Sequence, residues 1–395
     1  MSNLENFVVE ASEAINFKLI RNRGDVNKLD DIFKPEMTHQ SFGDSESIFG
    51  YRDLQINVYY SAGPLDIYYD KKYSKRVDDL SNNQGLKADN VDVITEVFSE
   101  GYYTNLDEFL DVMEKKEKTF APMGERIHEF KTDDNRTFEI YLCESSTPNF
   151  QKYYTRLESF IFWYIDASSR IEHDEKWRFF VVFEKYKNEA GEDRYASVGY
   201  SSVYLYFCYP DKIRPRIAQF IILPPFQRKG IGSELLMTIY KHFQAKDNVC
   251  DITVEDASED FQRLRNINDA KLLKNLDSFS PENLKNGFNT KMAQEAKDKF
   301  KINAKQSRII YEILRLGITN TSNKNEYKAY RLEVKKRLNM NYLKEKRDLN
   351  RVISRGFKIT ADKKLSLPST EENIESLEGM YRETEDYYRQ VLEKV

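Results

Sequence analysis

The chain has 395 residues, of which 40% are hydrophobic and 32% are charged, and its formal net charge at pH 7 is −4. This length allows two or three domains with hydrophobic cores. Because the net charge is close to neutral, the overall charge does not indicate a class of binding partner. No run of 18 apolar residues occurs, and the first residues are acidic where a signal peptide needs bases. We therefore expect an intracellular protein without a membrane span.

The N-terminal third mixes helical and strand-like patterns, and we assign residues 1–145 to an α/β domain. Residues 54–60 and 138–142 alternate apolar and polar side chains, as half-buried strands do. Residues 88–114 contain eight carboxylates and no lysine or arginine. This acidic segment is either a solvated face or a surface that attracts a basic peptide.

The middle of the chain has the order helix, strands, glycine-rich turn, helix, strand. Apolar spacing predicts one helix over residues 150–171 and another over residues 233–243. The strand patterns lie at residues 179–183, 196–206, 218–223 and 249–254. We assign residues 146–270 to a catalytic core and expect an α+β fold.

From residue 271 onward the pattern is almost wholly helical. We assign residues 271–320 to a helical domain and residues 321–395 to a charged helical tail. Within the tail, residues 323–356 are basic and amphipathic, although acids interleave with the bases. This segment is either a charged helix face or a surface for nucleic acid or a nuclear import receptor.

The three cysteines, Cys143, Cys208 and Cys250, are odd in number and far apart. We expect them to be reduced and mostly buried. The four histidines share no metal-ligand spacing with one another or with the cysteines, so we expect no metal site.

The glycine-rich turn is the most informative motif. In the run QRKGIGS, residues 227–233, a turn between a strand and a helix directs several backbone N–H groups toward one point and so favours a pyrophosphate. The dinucleotide fingerprint is excluded because Leu235 stands where its third glycine belongs, and the P-loop is excluded because Lys229 precedes its glycine. The turn resembles the acetyl-CoA loop of the GNAT acyltransferases. Its predicted contacts are Gln227, Arg228, Lys229, Gly230, Ile231, Gly232 and Ser233.

Transfer of an acetyl group to an amine needs a general base, because a lysine with a pKa of about 10.4 is protonated near pH 7. Glu255 and Asp256 follow the last strand pattern of the core and are candidates. The alternative is that Asp256 caps the next helix. Asp166, off the apolar stripe of the 150–171 helix, is a further candidate, and its alternative is a solvated helix acid.

Several longer stretches resemble one family, the catalytic subunit of the type B histone acetyltransferase. The resemblance runs from about residue 7 to about residue 350. Its motifs are PEMTHQSFGDSESIFGYRDL (35–54), VFEKY (182–186), VGYSSVYLYFCYPDKIRPRIAQFIILPPFQRKGIGSELL (198–236), DITVED (251–256), AQEAKDKFKINAKQSRIIYEILRL (293–316) and YRLEVKKRL (330–338).

The resemblance implies a GNAT fold with an N-terminal mixed domain and a C-terminal helical extension. It implies that Glu255 is the general base, with Asp256 and Asp166 as nearby acids. The implied contacts to the coenzyme, beyond the glycine turn, are Phe220, Ile221, Ile222 and Ser258. The implied histone-tail groove is lined by Asp44, Ser45, Glu46, Trp177, Tyr204, Leu205 and Tyr206.

This sequence departs from the family pattern at three positions. Asp166 stands where the family more often has glutamate, which shortens the carboxylate by one methylene. Ala257 stands where proline commonly follows the acidic pair, and Ser45 replaces a frequent acid. The shorter carboxylate weakens the prediction of a secondary base role for Asp166. The three departures leave the family assignment unchanged.

The resemblance further implies acetyl-CoA as co-substrate, no metal, and lysines of the tail of newly made histone H4, carried with H3, as acceptors. It implies a WD40-repeat histone chaperone as second subunit, a cytoplasmic and nuclear location, and no direct role for nucleic acid. The alternatives are a GNAT enzyme acting on another amine, a histone-binding chaperone without turnover, and a nucleic-acid binder acting through residues 323–356.

Overall fold

A computed structural model describes residues 4–80, 85–98, 101–354 and 368–395. They divide into two compact units. The first comprises residues 1–248 and 254–256, and the second comprises residues 249–253 and 257–395. Across the described residues, helices are either too short or too polar to cross a membrane.

In the described parts of the chain, the strands all begin before residue 255. They are β1 Val8–Glu10, β2 Ile15–Ile20, β3 Ser47–Phe49, β4 Tyr51–Arg52, β5 Gln55–Ser61, β6 Ile67–Lys72, β7 Lys75–Arg76, β8 Glu125–Lys131, β9 Thr137–Glu144, β10 Trp177–Lys187, β11 Asp193–Cys208, β12 Lys212–Ile222 and β13 Thr253–Val254.

The α-helices of the described residues run through both units. They are α1 Ala11–Ala14, α2 His39–Phe42, α3 Leu106–Glu117, α4 Phe150–Glu158, α5 Ile161–Tyr164, α6 Ile231–Gln244, α7 Glu259–Leu273, α8 Pro281–Lys285, α9 Thr290–Phe300, α10 Ala304–Ile318, α11 Lys324–Leu338, α12 Met340–Ser354 and α13 Thr370–Leu392.

The largest sheet has six strands in the order β13-β12-β11-β10-β9-β8. Its four long neighbours, β9 to β12, pair antiparallel. Residues 179–183 in β10 are all buried, so both faces of the sheet are covered at its centre. Strands β8 and β9, which the sequence analysis placed in the N-terminal domain, belong to this sheet.

The N-terminal part of the first unit builds smaller sheets. Strand β5 lies between β2, with which it pairs parallel, and β6, with which it pairs antiparallel. Two-stranded sheets join β1 to β3 and β4 to β7. The turn that carries residues 44–46 leads directly into β3, so this sheet sets its position.

The helix predicted over residues 150–171 was wrong in its extent. The structure has α4 and the single-turn α5 instead, and the chain is extended at Ile165 and left-handed at Ala167. The carbonyl of Trp163 accepts the N–H groups of Glu36 and Met37, so it serves the N-terminal region rather than a longer helix. Asp166 therefore lies after the helix end, in a loop.

The strand predicted over residues 249–254 was also too long. Only Thr253 and Val254 form a strand. The Ile252 N–H donates to the Lys301 carbonyl at 2.8 Å, so this part of the chain takes its backbone partner from the second unit, to which both residues belong.

The second unit has one hydrophobic core that is shared by both predicted C-terminal segments. Helix α10 packs against α11 and α13, and Tyr330 and Tyr381 are buried between them. Several cations of the basic segment pair inside this unit: Arg331 and Lys335 with Glu378, and Arg337 with Glu312.

Glu312 is fully buried at the centre of this helical core. Its carboxylate accepts from Arg308 at 3.0 Å, from Arg337 at 2.9 Å and from the Tyr388 hydroxyl at 2.9 Å. A buried carboxylate with three donors on three helices fixes how those helices meet.

We predict that Glu312→Ala lowers the free energy of unfolding of the second unit by about 3 kcal/mol, because the Arg337 guanidinium loses its carboxylate partner and that of Arg308 keeps only Glu333. Urea unfolding measures the change. Glu375→Ala, which removes an exposed carboxylate of α13, is the control and should change it by less than about 0.5 kcal/mol. Equal effects of both substitutions would contradict a central role for Glu312.

Candidate active site

A β-bulge in β12 marks the centre of the candidate site. Ser202 pairs with Gln219 and Val203 pairs with Ile217, so Ala218 has no opposite residue in β11. A bulge bends its strand and re-aims the neighbouring groups. The Glu255 N–H donates to the Ile217 carbonyl at 2.9 Å, so the predicted base is attached to the strand directly beside the bulge.

The end of β12 carries the predicted coenzyme strand. Ile221 is buried, while Phe220 and Ile222 are half-buried and opposite Ser201 and Gly199. A Cβ at residue 199 would lie 2.1 Å from the Ile221 carbonyl oxygen, so only glycine permits this close approach of β11. On its other side β12 faces the two-residue β13 and extends well past it.

The predicted loop follows this strand. A 3₁₀ turn, Pro224–Phe226, leads to Arg228 and Gly230, whose φ angles are +60° and +80°, and α6 begins at Ile231. The Gln227 side chain donates to the Ile222 carbonyl at 2.9 Å. Gln227 therefore ties the loop to the strand end.

The N-terminus of α6 fits an anion. Its N-cap is Gly230, which offers no side-chain cap, and a Cβ built there would meet no atom within 4 Å. First-turn N–H groups of a 14-residue helix and open space beside them suit a pyrophosphate. Gly232 and Ser233 lie in that first turn and are half-buried, while Ile231 is buried in the core.

The two basic residues of the loop have different surroundings. Lys229 pairs with Asp134 at 3.2 Å, and Arg228 is exposed. Asp134 lies between β8 and β9 and was not identified from sequence. Because Lys229 is already paired, we expect the backbone N–H groups to be the main anion-binding feature of this loop, with the exposed Arg228 as the other cation.

Three aromatic residues of the predicted tail groove lie together. The ring centroids of Trp177 and Tyr204 are 4.9 Å apart, and those of Tyr204 and Tyr206 are 4.7 Å apart. The Tyr204 hydroxyl donates to Asp174 at 3.2 Å. Leu205, between them on β11, alternates to the other face of the strand and is half-buried.

Arg216 joins this aromatic group to the predicted base. Its guanidinium lies 3.5 Å from a Glu255 carboxylate oxygen and 5.8 Å from the centroid of the Tyr206 ring. Sequence reasoning missed Arg216, although an arginine between Pro215 and Ile217 in a strand was a visible signal.

The remaining predicted acids form a second cluster around His39. The imidazole Nε2 is 3.1 Å from Asp166, and Nδ1 is 4.0 Å from Glu46. Glu46 accepts both the N–H and the hydroxyl of Thr38 at 2.7 Å, and these hydrogen bonds lower the pKa of its carboxyl. Sequence reasoning considered the histidines only as metal ligands and so missed His39.

Two neighbours of these acids are exposed, as is Asp166 itself. Asp44 and Ser45 stand at the tip of the turn before β3, where the Ser45 carbonyl accepts the Ser47 hydroxyl. The Asp166 side chain is 77% exposed, which fits the solvated acid that the sequence analysis kept as an alternative, although it also contacts His39.

The alternative role of Asp256 as a helix cap was wrong. The Ser258 hydroxyl caps α7 by accepting the Phe261 N–H at 3.3 Å. Asp256 is exposed and has φ of +27°, an uncommon backbone conformation directly after the predicted base. A coenzyme contact for Ser258 stays a prediction. Its hydroxyl accepts the Phe261 N–H, which is a structural role within the second unit.

Other chemistries have less support. Cys143 is buried, which raises the pKa of its thiol to about 12, and Cys250 is also buried. Such thiols are poor nucleophiles. Throughout the described parts of the chain, no three His, Cys, Asp or Glu side chains are grouped so that they could hold a metal ion.

Comparison with known proteins gives the context of this geometry. Three family models match: "Histone acetyl transferase HAT1 N-terminus" over residues 7–166, "Acetyltransferase (GNAT) family" over residues 135–264, and "Histone acetyltransferase type B catalytic subunit, C-terminal" over residues 265–316. The type B catalytic subunit of Homo sapiens is 39% identical over 99% of this chain and 94% of its own length. The chain belongs to the family of type B histone acetyltransferase catalytic subunits.

Further relatives agree with this membership. The Rattus norvegicus subunit is 38% identical over 99% of this chain and 94% of its own, and one from Dictyostelium discoideum is 34% identical over 78% and 67%. A solved xEco2 acetyltransferase domain matches 35% of this chain and 88% of its own length at 13% identity. Its TM-score of 0.24 is too low for this likeness to indicate a function.

Membership confirms the predicted family, the GNAT fold and the use of acetyl-CoA as acetyl donor. The GNAT match spans the bulged β12, the glycine turn and α6, and it also includes β9. The roles of individual residues remain predictions, which the geometry above makes testable.

We predict that Gly230→Ala weakens acetyl-CoA binding about tenfold, because a left-handed alanine costs about 1–2 kcal/mol and the loop must recover this conformation to bind. Isothermal titration calorimetry measures the affinity. Gly191→Ala is the matched control, since Gly191 has φ of +78° and equal free space in the turn between β10 and β11. Equal affinities of the two variants would contradict the role of the loop.

Proposed function

We propose that this protein transfers the acetyl group of acetyl-CoA to lysine side chains in the tail of newly synthesised histone H4, presented together with H3. The observation that carries the proposal is the attachment of Glu255 beside the bulge of β12, the strand that runs into the glycine turn. One short segment thus joins a carboxylate to a pyrophosphate site. Its relatives are type B histone acetyltransferase catalytic subunits, which supports histone as the acceptor.

The chemistry needs a neutral amine. Glu255 takes a proton from the acceptor ammonium, directly or through water, since a lysine with a pKa of about 10.4 is otherwise almost fully charged at pH 7. The amine lone pair then forms the C–N bond with the thioester carbonyl carbon, and the C–S bond breaks with its electrons on sulfur. The nitrogen loses its second proton, and the thiolate of CoA takes up one proton.

The end of β12 suits the other two tasks. We propose that backbone N–H groups around Ile221 stabilise the oxyanion and that the strand edge beyond β13 pairs with the pantetheine arm. We propose Phe220 and Ile222 as its neighbours and the turn from Gln227 to Ser233 as the pyrophosphate site.

The groove residues favour a basic peptide. Trp177, Tyr204 and Tyr206 offer ring faces for the stems and charges of lysine and arginine side chains. Glu46 and Asp166 beside His39, with the exposed Asp44 two residues before Glu46, add negative charge that a polyamine or a basic tail would meet.

We predict that Glu255→Gln lowers kcat for a histone H4 tail peptide by about 100-fold or more, because proton removal loses its acceptor. Acetyl-CoA affinity should stay within about twofold. Initial rates with mass spectrometry of the modified lysines, and calorimetry for the coenzyme, give the two values. Equal turnover by both proteins would exclude Glu255 as the base, and faster acetylation of spermine than of the peptide would favour another amine as acceptor.

We further propose that a WD40-repeat histone chaperone is the second subunit and that the pair works in both cytoplasm and nucleus. A protruding aromatic tip supports a protein partner: Phe207 is 71% exposed and Tyr209 is 87% exposed where β11 turns into β12. Exposed aromatic anchors of this kind are typical of protein interfaces.

We predict that replacing both Phe207 and Tyr209 with serine weakens chaperone binding by about tenfold or more, while kcat on a free H4 peptide changes less than twofold. Surface plasmon resonance with the purified chaperone measures the affinity. Leu29→Ser removes another exposed apolar side chain, 78% exposed, and serves as the control. Unchanged binding by the double variant would place the partner elsewhere.

A further inference from the structure

Arg216 occupies a position between the proposed base and the proposed acceptor groove. Its side chain is 34% exposed, and that of Glu255 is 43% exposed, so the pair meets solvent in the free protein. The Tyr206 ring lies within cation–π range of the guanidinium on another side. Arg216 is also directly opposite Tyr204 in the β11–β12 pairing.

The charges around this pair come from three parts of the first unit. Arg214 lies two residues earlier on β12, opposite Tyr206. Asp174 and Lys176, before β10, both contact Tyr204, one at its hydroxyl and one over its ring. Asp256 follows Glu255 directly. Arg216 itself lies 3.5 Å from a Glu255 carboxylate oxygen.

An acceptor lysine that uses Glu255 as its base must approach a carboxylate that already has a cation beside it. Two cations on one carboxylate come within about 4–6 Å of each other, and at that distance each disfavours the charged form of the other. The guanidinium stays protonated at any working pH. The group that gives up its proton is therefore the lysine ammonium.

We propose that Arg216 is an electrostatic positioning residue, which holds the Glu255 carboxylate beside β12 and favours the neutral amine form of a lysine entering the same site. This inference rests on the proposed function, with Glu255 as base. Arg216 itself takes no proton.

The test is the pH dependence of kcat on a lysine peptide, between about pH 6.5 and 10, for the wild type, Arg216→Gln and Arg216→Lys. In Arg216→Gln we expect the midpoint of the kcat profile to rise by about one pH unit, with about tenfold lower kcat at pH 7 and recovery at high pH. Arg216→Lys keeps the charge and should restore most of the midpoint. A merely structural role would lower kcat equally at every pH.

A second acceptor sharpens the result. Replacing the target lysine with S-aminoethylcysteine gives an amine of lower intrinsic pKa, so the loss of kcat at pH 7 in Arg216→Gln should shrink. Arg52→Gln is the control for removing a half-exposed guanidinium beside a carboxylate, Asp53 at 3.9 Å, outside the site, and its profile should match the wild type.

The outcomes separate the two proposals. If the wild type acetylates the peptide and Arg216→Gln, folded by circular dichroism, has an unchanged midpoint, the inference about Arg216 is wrong while the proposed function stands. If the wild type transfers no acetyl group to a lysine at any pH, the proposed function fails and the inference fails with it.

Discussion

The hydrogen bond from the Glu255 N–H to the Ile217 carbonyl is the contact on which the candidate site depends. It attaches the segment after β13 to the bulged part of β12. Because the same strand continues into the glycine turn, this backbone hydrogen bond sets where the main chain of Glu255 lies with respect to the coenzyme strand, and Arg216 contacts the carboxylate. Gly199 contributes by allowing β11 to approach closely at Ile221.

Charge in this region is largely paired before any substrate arrives. Lys229 contacts Asp134, Arg216 contacts Glu255, and Glu46 is held by Thr38. We therefore expect affinity for phosphate to come mainly from oriented N–H groups at the start of α6. Carboxylates of the acidic segment are paired in the same way. Arg23 lies 3.7, 2.6 and 3.0 Å from the carboxylates of Asp107, Asp111 and Glu114.

Sequence patterns located the core elements well where burial is one-sided or complete over many residues. The runs at residues 179–183 and 233–243 lie inside β10 and α6, and the glycine turn lies between strand and helix as its composition predicts. The same reasoning overextended the helix at residues 150–171 and the strand at residues 249–254. In both places the backbone groups bond to distant segments, at Glu36 and Met37 or at Lys301, which no local pattern can reveal.

The sequence by itself determined the family, the fold class and the residue types that the chemistry requires: a glycine turn, a carboxylate pair after a strand, and aromatic residues at alternating positions. These are local properties, since spacing along one strand or turn is enough to specify them. Only the tertiary structure decided that Arg216 meets Glu255, that His39 joins Asp166 to Glu46, and that Ser258 rather than Asp256 caps α7. The Arg216–Glu255 and His39–Asp166 pairings join residues far apart in the chain. The cap depends on whether the backbone directs the side chain of Asp256 or that of Ser258 toward the start of α7.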